Sequence, residues 1–455
     1  MSAFLLDGRG VAIPAAGLAL VLALLAVHSP VLALALIGAV VLLIAVAANA
    51  GLMLLALVAV FPWRGLLKYP SDQVSVVKIL GVLVVVSYLL RLLGRRERIR
   101  MPAPVVPALM LGFFVGVAVL FSIDPSGSVS KALRYALFIV FLFLLVQLVR
   151  DARQTRVVIR VFTLSASIGA TWALVAFLQG DITRAAGPIE EPVDFGFLLA
   201  TTLPLAGYLI VRDRGWRPVW IACAAVMTAA MFATLSRGAV LGLIALAIWA
   251  AATRKIPLKA VAAGTLSVIG VLAVGFALWG SLIHERLHEK SYVAGKNVET
   301  RQAFWYAAEQ IAFDHPLTGV GPGQFGPAAG GYVLNAPIVI KNPVVHDSYL
   351  EVLVDAGIFA ALCFMAYLIL IWVRLGQTAR AARCAGDKEL WRLAVTIQSA
   401  LIVCMTSAVF LSQQLAIPFW FLGGLGTIVG CLAPASAQAE APEPARPGRL
   451  EALPA

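Results

Sequence analysis

Cysteine is scarce in this chain. Cys223, Cys363, Cys384, Cys404 and Cys431 are scattered and form no Cys-x-x-Cys pair. That argues against a disulfide framework or a thiolate metal cage; four of the five lie in apolar runs and read as small core residues. A phosphate-binding loop is missing too. The run PLTGVGPGQFG (316–326) is rich in glycine but lacks GxxxxGK[ST] and follows no strand, so nucleotide use has no support and its glycines suit tight turns. No internal repeat is recognisable. The N-terminal apolar run 11–27 lacks a small-residue cleavage site leading into a soluble domain, so it reads as a retained span.

What is abundant is apolar length. The 455 residues are 61% hydrophobic, with a mean hydropathy of +0.93. Runs long enough to cross a bilayer recur at roughly 11–27, 31–61 (one helix, or two breaking near Asn49), 74–93, 105–121, 132–149, 157–178, 194–211, 218–235, 238–252, 260–280, 347–373, 391–413 and 418–433. The expected fold is an all-α polytopic membrane bundle of about 12–14 spans. The net charge of +12 does not point to nucleic acid, because twenty of the 35 Lys and Arg fall in five short clusters: 91–100, 150–160, 212–217, 253–259 and 374–392. Such clusters mark cytoplasmic loops and alternate with loops poor in positive charge. The loops at 62–73, 122–131, 179–193, 236–237, 281–346 and 414–417 then face outward. The expected organisation is a bundle over 1–280, an external cap over 281–346 and further spans over 347–433. The Ala/Pro-rich tail 434–455 cannot bury a core and is expected to be disordered and cytoplasmic.

The segment 281–346 is the long polar interruption and holds four of the five histidines, His284, His288, His315 and His346. The spacing of Phe304, Trp305, Ala308 and Ile311 predicts a helix over 301–313 with one apolar face. His346 stands where the chain re-enters the membrane. An imidazole there can take a proton from a hydroxyl near neutral pH. Asp347, Glu351 and Asp355 follow at four-residue spacing, as supporting acids or as solvated and capping ones. Three outward arginines, Arg184, Arg237 and Arg301, need explaining in loops otherwise depleted of positive charge. They suit a diphosphate-bearing lipid, or equally phospholipid headgroups and ion pairs with Glu190, Glu191 or Asp194. His284-Glu285-Arg286-Leu287-His288 matches His-Glu-x-x-His, which on a helix can hold zinc with Glu285 as base, but no third ligand is placed by any extension of it.

TLSRGAVLGLIAL (234–246), RQAFWYAAEQIAFDHPLTGVGPGQF (301–325) and HDSYLEVLVDAGIFA (346–360), in that order and on that side, resemble the O-antigen ligase/polymerase superfamily of bacterial membrane glycosyltransferases. The similarity covers roughly 184–375. It implies a lipid-sugar glycosyltransferase fold of GT-C-like type in the bacterial inner membrane, with a helical periplasmic cap and the active site facing the periplasm. It implies a glycan donor on undecaprenyl diphosphate, an acceptor such as lipid A-core, and no metal or other cofactor. The presumed base falls on His346, and Arg237 and Arg301 are expected to engage the diphosphate. Arg184 resembles a further basic position. The chain departs from the family pattern where Asp347 replaces an Asn after the histidine, and where EEPVDFG follows Arg184 in place of an Asn-Pro-Asn turn.

The resemblance leaves a ligase, a polymerase extending glycan on its own carrier, and a protein glycosyltransferase open, with the ligase slightly favoured. Two readings come from other classes. A multi-span transporter would carry ionisable residues mid-span and repeated halves, whereas Lys78 and Arg134 sit near span ends. A membrane zinc protease would rest on His284, Glu285 and His288.

Overall fold

The computed structural model describes residues 49–63, 76–95, 98–180, 182, 184–189, 191–332 and 343–432, apart from the side chains at 94–95, 258, 260, 282–283 and 285–299. The expected spans before Asn49, the loop 62–73 beyond Trp63 and the tail from 433 lie outside the described residues. Two compact units are present, Met1–Leu57 with Lys78–Arg98, and Val58–Val77 with Ile99–Ala455.

The first unit contains most of α1 (Ala50–Val60) and α2 (Val76–Arg95). Asn49 caps α1, its side chain accepting from Leu52 N at 3.2 Å. That is where the sequence pattern breaks. α2 leaves Leu89, Leu90 and Leu93 exposed, an arrangement that is stable when the surrounding solvent is lipid.

The second unit is built from α3 (Val105–Leu120), α4 (Pro125–Leu148), α5 (Ala152–Leu178), α6 (Pro192–Arg212), α7 (Arg217–Ala233), α8 (Arg237–Thr253), α9 (Leu258–Asp314), α10 (Phe325–Ala329), α11 (Ser348–Cys384), α12 (Lys388–Ala408) and α13 (Ile417–Gly430). Among the described residues there is no strand. Eight helices among the described residues are long and apolar enough to cross a membrane, and four more apolar helices are shorter. The all-helical polytopic expectation holds. α6 and α12 are the most enclosed spans, while the segment Val261–Ser281 of α9 is not buried at all. α11 packs on α3, α12 and α13, α6 on α7 and α12, and α8 on α12. α13 is short but buried along its length, with Phe419, Trp420 and Phe421 fully enclosed. Its approach to α11 depends on Gly423, where any Cβ would collide with the Tyr367 hydroxyl.

At one end of the bundle Glu389, in the first turn of α12, accepts from Arg156 Nη2 and Tyr208 Oη at 2.6 Å and from Arg212 Nε at 2.7 Å. Arg160 forks onto Asp213 at 2.6 and 2.7 Å. These bonds clamp α5, α6 and α12 together. The proposed site lies at the opposite end of α6 and α12, about 30 Å away for helices of this length.

One element differs from expectation. The span near 260–280 and the helix over 301–313 are two ends of the single helix α9, which departs from helical geometry only at Trp279 (φ −134°, ψ 31°). No Pro lies between them, so nothing in the backbone forces the helix to end at the edge of the apolar run.

Candidate functional site

The turn before α11 presents His346. Asp347 is the N-cap residue of α11, accepting from Tyr349 N at 2.8 Å and Leu350 N at 3.0 Å. These bonds satisfy two orphan donors of the first turn. Burial raises the Asp347 carboxyl above its ordinary range, and the two backbone bonds pull it back. His346 itself has φ 60°, in the left-handed region that histidine tolerates better than most residues. Its N–H donates to Ser412 Oγ at 2.9 Å. The imidazole is half-buried. Burial first, then the positive charge of Arg301, lower its pKa to about 4, with Glu351 pulling the other way.

Arg301 acts on this imidazole because of how α9 docks. Phe304, Ala307, Ala308 and Ile311 on its apolar face are buried against Val320, Phe325, Val345 and Val354. That cluster joins the end of α9, the glycine-rich loop and the start of α11. It therefore brings Arg301, three residues before Phe304, to His346, which follows Val345. Arg301 Nη1 donates to Phe410 O at 3.5 Å. Burial, and next the charge of Arg237, lower the Arg301 pKa. Arg237 is exposed in the first turn of α8, where the helix dipole disfavours a cation. Leu235 just before it has φ 54°. Of the three non-glycine residues with positive φ among those described, Leu235 and His346 flank this site. Backbone strain of that kind concentrates at functional sites. Arg237 thus lies close enough to act on Arg301, and it has no ion pair among the described residues.

Arg184 is placed differently. Its Nε donates to Thr234 O at 3.0 Å, and Ala185 N donates to Ala233 O at 3.0 Å. It thus braces the turn that leads to Arg237. Burial lowers its pKa and Glu191 opposes this; neither His346 nor Arg301 acts on it. Asp347, Glu351 and Asp355 do not act as one acidic face. Asp347 is spent on capping, while Glu351 Oε1 and Asp355 Oδ2 share Lys131 Nζ of α4 at 2.6 and 2.8 Å.

The glycine-rich loop docks into a break in α11. Val320 N donates to Val354 O at 2.9 Å and Ile358 N donates to Pro316 O at 2.8 Å. The break is at Gly357 (φ 77°, ψ −176°), a conformation open essentially to glycine alone. A Cβ there would strike Leu317 O, and one at Gly319 would strike Val354 O. Asp355 Oδ1 accepts from Gly323 N at 2.9 Å. The loop between α12 and α13 closes the other side. Ser348 Oγ donates to Leu411 O at 2.5 Å and accepts from Gln413 N at 2.7 Å, while Gln413 Nε2 donates to Asp194 Oδ1.

Lys131, Ser412 and Gln413 are absent from the sequence-based candidates. For Lys131 a signal exists, since two carboxylates one turn apart in an apolar helix demand a cation. Ser412 and Gln413 carry no such mark.

Beside Leu235 opens an apolar groove of about 580 Å³ between α5, α7 and α9, lined by Leu174, Phe177, Val226, Ala229 and Phe276. The His-Glu-x-x-His run lies on α9 with His284 exposed; the side chains of Glu285 and His288 lie outside the described residues. No group of three or more His, Cys, Asp or Glu that could hold a metal ion occurs among the described residues.

Spanning helices of this length and number define a polytopic α-helical integral membrane protein. Residues 222–365 match the profile of the O-antigen ligase family. That stretch, about a third of the chain, is similar to the O-antigen ligase family of ligases and polymerases. The matched stretch runs from α7 into α11 and contains Arg237, Arg301 and His346; Lys131 and Arg184 precede it. A search of curated proteins returns no match.

Proposed function

We propose that the protein transfers a glycan from undecaprenyl diphosphate to a hydroxyl acceptor such as lipid A-core, at the periplasmic face of the bacterial inner membrane. The observation that carries this reading is the packing of the α9 end that bears Arg301 against Val345, the residue before His346, with Arg301 close enough to act on His346 and Arg237 on Arg301. Together these residues offer one base beside two diphosphate ligands. The acceptor oxygen attacks the anomeric carbon while His346 takes its proton. The bond from that carbon to the diphosphate oxygen breaks, and Arg237 and Arg301 hold the departing charge. Positioned guanidinium groups do here what a divalent cation does in other phosphoryl leaving-group sites. The apolar groove beside Leu235 suits the first part of the polyprenyl tail, since it ends next to the Arg237 turn. Arg184 supports that turn and so acts on the donor through Arg237.

Donor binding also activates the base. With the site empty, Arg301 and burial suppress the basicity of His346. An arriving diphosphate neutralises the guanidinium charge, and a nearby anion favours the imidazolium.

Deleting the gene and running surface glycan on a gel tests the reading. Lipid-linked long chains that no longer reach lipid A-core support a ligase. Single repeat units remaining on lipid A-core point to a polymerase instead. Glycan unchanged in both attachment and length defeats glycosyl transfer altogether.

A further inference from the structure

Lys131 carries a charge that the reaction above does not use. It lies in the second turn of α4, and its Nζ sits 2.6 Å from Glu351 Oε1 and 2.8 Å from Asp355 Oδ2. Both carboxylates are buried. Asp355 passes the contact on to the glycine-rich loop through Gly323 N. Glu351 faces the Ser412 hydroxyl and the Gln414 amide. Ser412 Oγ in turn accepts from His346 N at 2.9 Å. Tyr135, one turn beyond Lys131 and fully buried, faces the same two carboxylates. The groups around the ammonium are therefore Glu351, Asp355, Tyr135, Ser412 and Gln414. From Ser412 a contact leads to the left-handed turn at His346, and from Asp355 one leads to the loop docked at Gly357.

A buried ion cluster is a poor device for stability alone. Apolar side chains of similar volume commonly serve as well, and the desolvation of one ammonium and two carboxylates is costly. What such a cluster supplies is a fixed geometry. The backbone at His346 needs that, because its positive φ persists only when the surroundings over-determine it.

We propose that Lys131 is a positioning residue: through Glu351 and Ser412 it fixes the turn that presents the His346 imidazole, and through Asp355 it locks the glycine-rich loop against α11. This rests on the reading of His346 as the base for glycosyl transfer.

The test measures kcat and KM for a polyprenyl-diphosphate-linked glycan with the full-length protein in detergent or vesicles. Lys131→Met alone strands two buried carboxylates, so the informative variant is the neutral triple K131M/E351Q/D355N, which leaves no buried charge unpaired. Because a misplacement near 1 Å can cost on the order of 100-fold, the triple is expected to lose roughly 10- to 100-fold in kcat. Its donor KM should stay within about two-fold, since Arg237 and Arg301 are untouched. Lys131→Arg is expected to recover most of the rate. Ser412→Ala, which removes only the hydroxyl link, is expected to lower kcat as well, and less than additively with the triple. A neutral triple or a Ser412→Ala enzyme with wild-type kcat overturns the assignment, as does a loss confined to KM. The His346 variant run in parallel separates the two ideas. If it turns over normally, the base assignment falls. If it is dead while the triple is fully active, only the role of Lys131 falls.

Discussion

The proposed role of His346 makes its imidazole a weak base in the empty site and a stronger one in the occupied site. Burial and Arg301 lower its pKa to about 4, and Glu351 opposes them. The neutral form is the base, so activity is lost as pH falls through the prevailing pKa. The acid limb of kcat/KM reports the free enzyme and that of kcat the loaded enzyme. The limb of kcat/KM is therefore expected near pH 4, and the limb of kcat at higher pH because bound diphosphate raises the imidazole. Coincident limbs would contradict donor-coupled activation. Replacing Arg301 by Gln removes a lowering charge, so the limb of kcat/KM should move up towards the ordinary imidazole range in the residual activity. The test of the base itself needs care with the backbone. Alanine at φ 60° adds strain to the loss of chemistry, whereas asparagine tolerates that region. His346→Asn is expected to lose about 10²- to 10⁴-fold in turnover with its melting temperature unchanged, as measured on purified protein.

At the scale of elements, the site is made by a loop and a helix that interrupt each other. α11 opens at Gly357, freeing Val354 O and Ile358 N to pair with the segment 316–320. Gly357→Ala meets both a forbidden φ/ψ and the Leu317 carbonyl. It should cost at least about 1–3 kcal/mol in stability. The loop should come loose, seen as faster proteolysis at 315–324, and turnover should fall with it. Much of this was legible in the chain. The spacing of Phe304, Ala308 and Ile311 predicted the buried face of the α9 end, and the glycines of 316–326 were expected to serve turns. What those turns dock against was not legible, because the partner glycine lies inside a helix some forty residues away and leaves no periodic trace. Likewise Asp347, Glu351 and Asp355 have helical spacing, yet the structure spends the first on a cap and the other two on Lys131. A lysine at the head of an apolar run reads as a span end until the facing helix is known.

At the scale of the whole molecule, the ion cluster at Glu389 and the proposed site lie at opposite ends of the bundle. Glu389 gathers Arg156, Tyr208 and Arg212 at the far end of α6 and α12. Glu389→Gln is expected to lower stability by about 1–2 kcal/mol, since these groups are partly screened by solvent. It should leave kcat unchanged; a loss of turnover at constant fold would show that the two ends are coupled. The apolar groove between α5, α7 and α9 gives a separate expectation. Ala229→Trp fills part of it and should raise KM for a long-chain polyprenyl donor while sparing a short-chain one. Equal effects on both chain lengths would place the tail elsewhere.

The polytopic helical character and the polar gap carrying His346 and Arg301 follow from the chain alone, because apolar runs, basic clusters and helical spacing are local properties that short stretches carry. Which cations meet which anions depended on the packed molecule. Lys131 finds Glu351 across 220 positions of sequence and Ser412 meets His346 across 66. Such pairings arise when helices close at the packing distances set by residues such as Gly423. No pattern along the chain encodes them, because burial is what makes an unpaired charge intolerable, and burial exists once the helices have assembled.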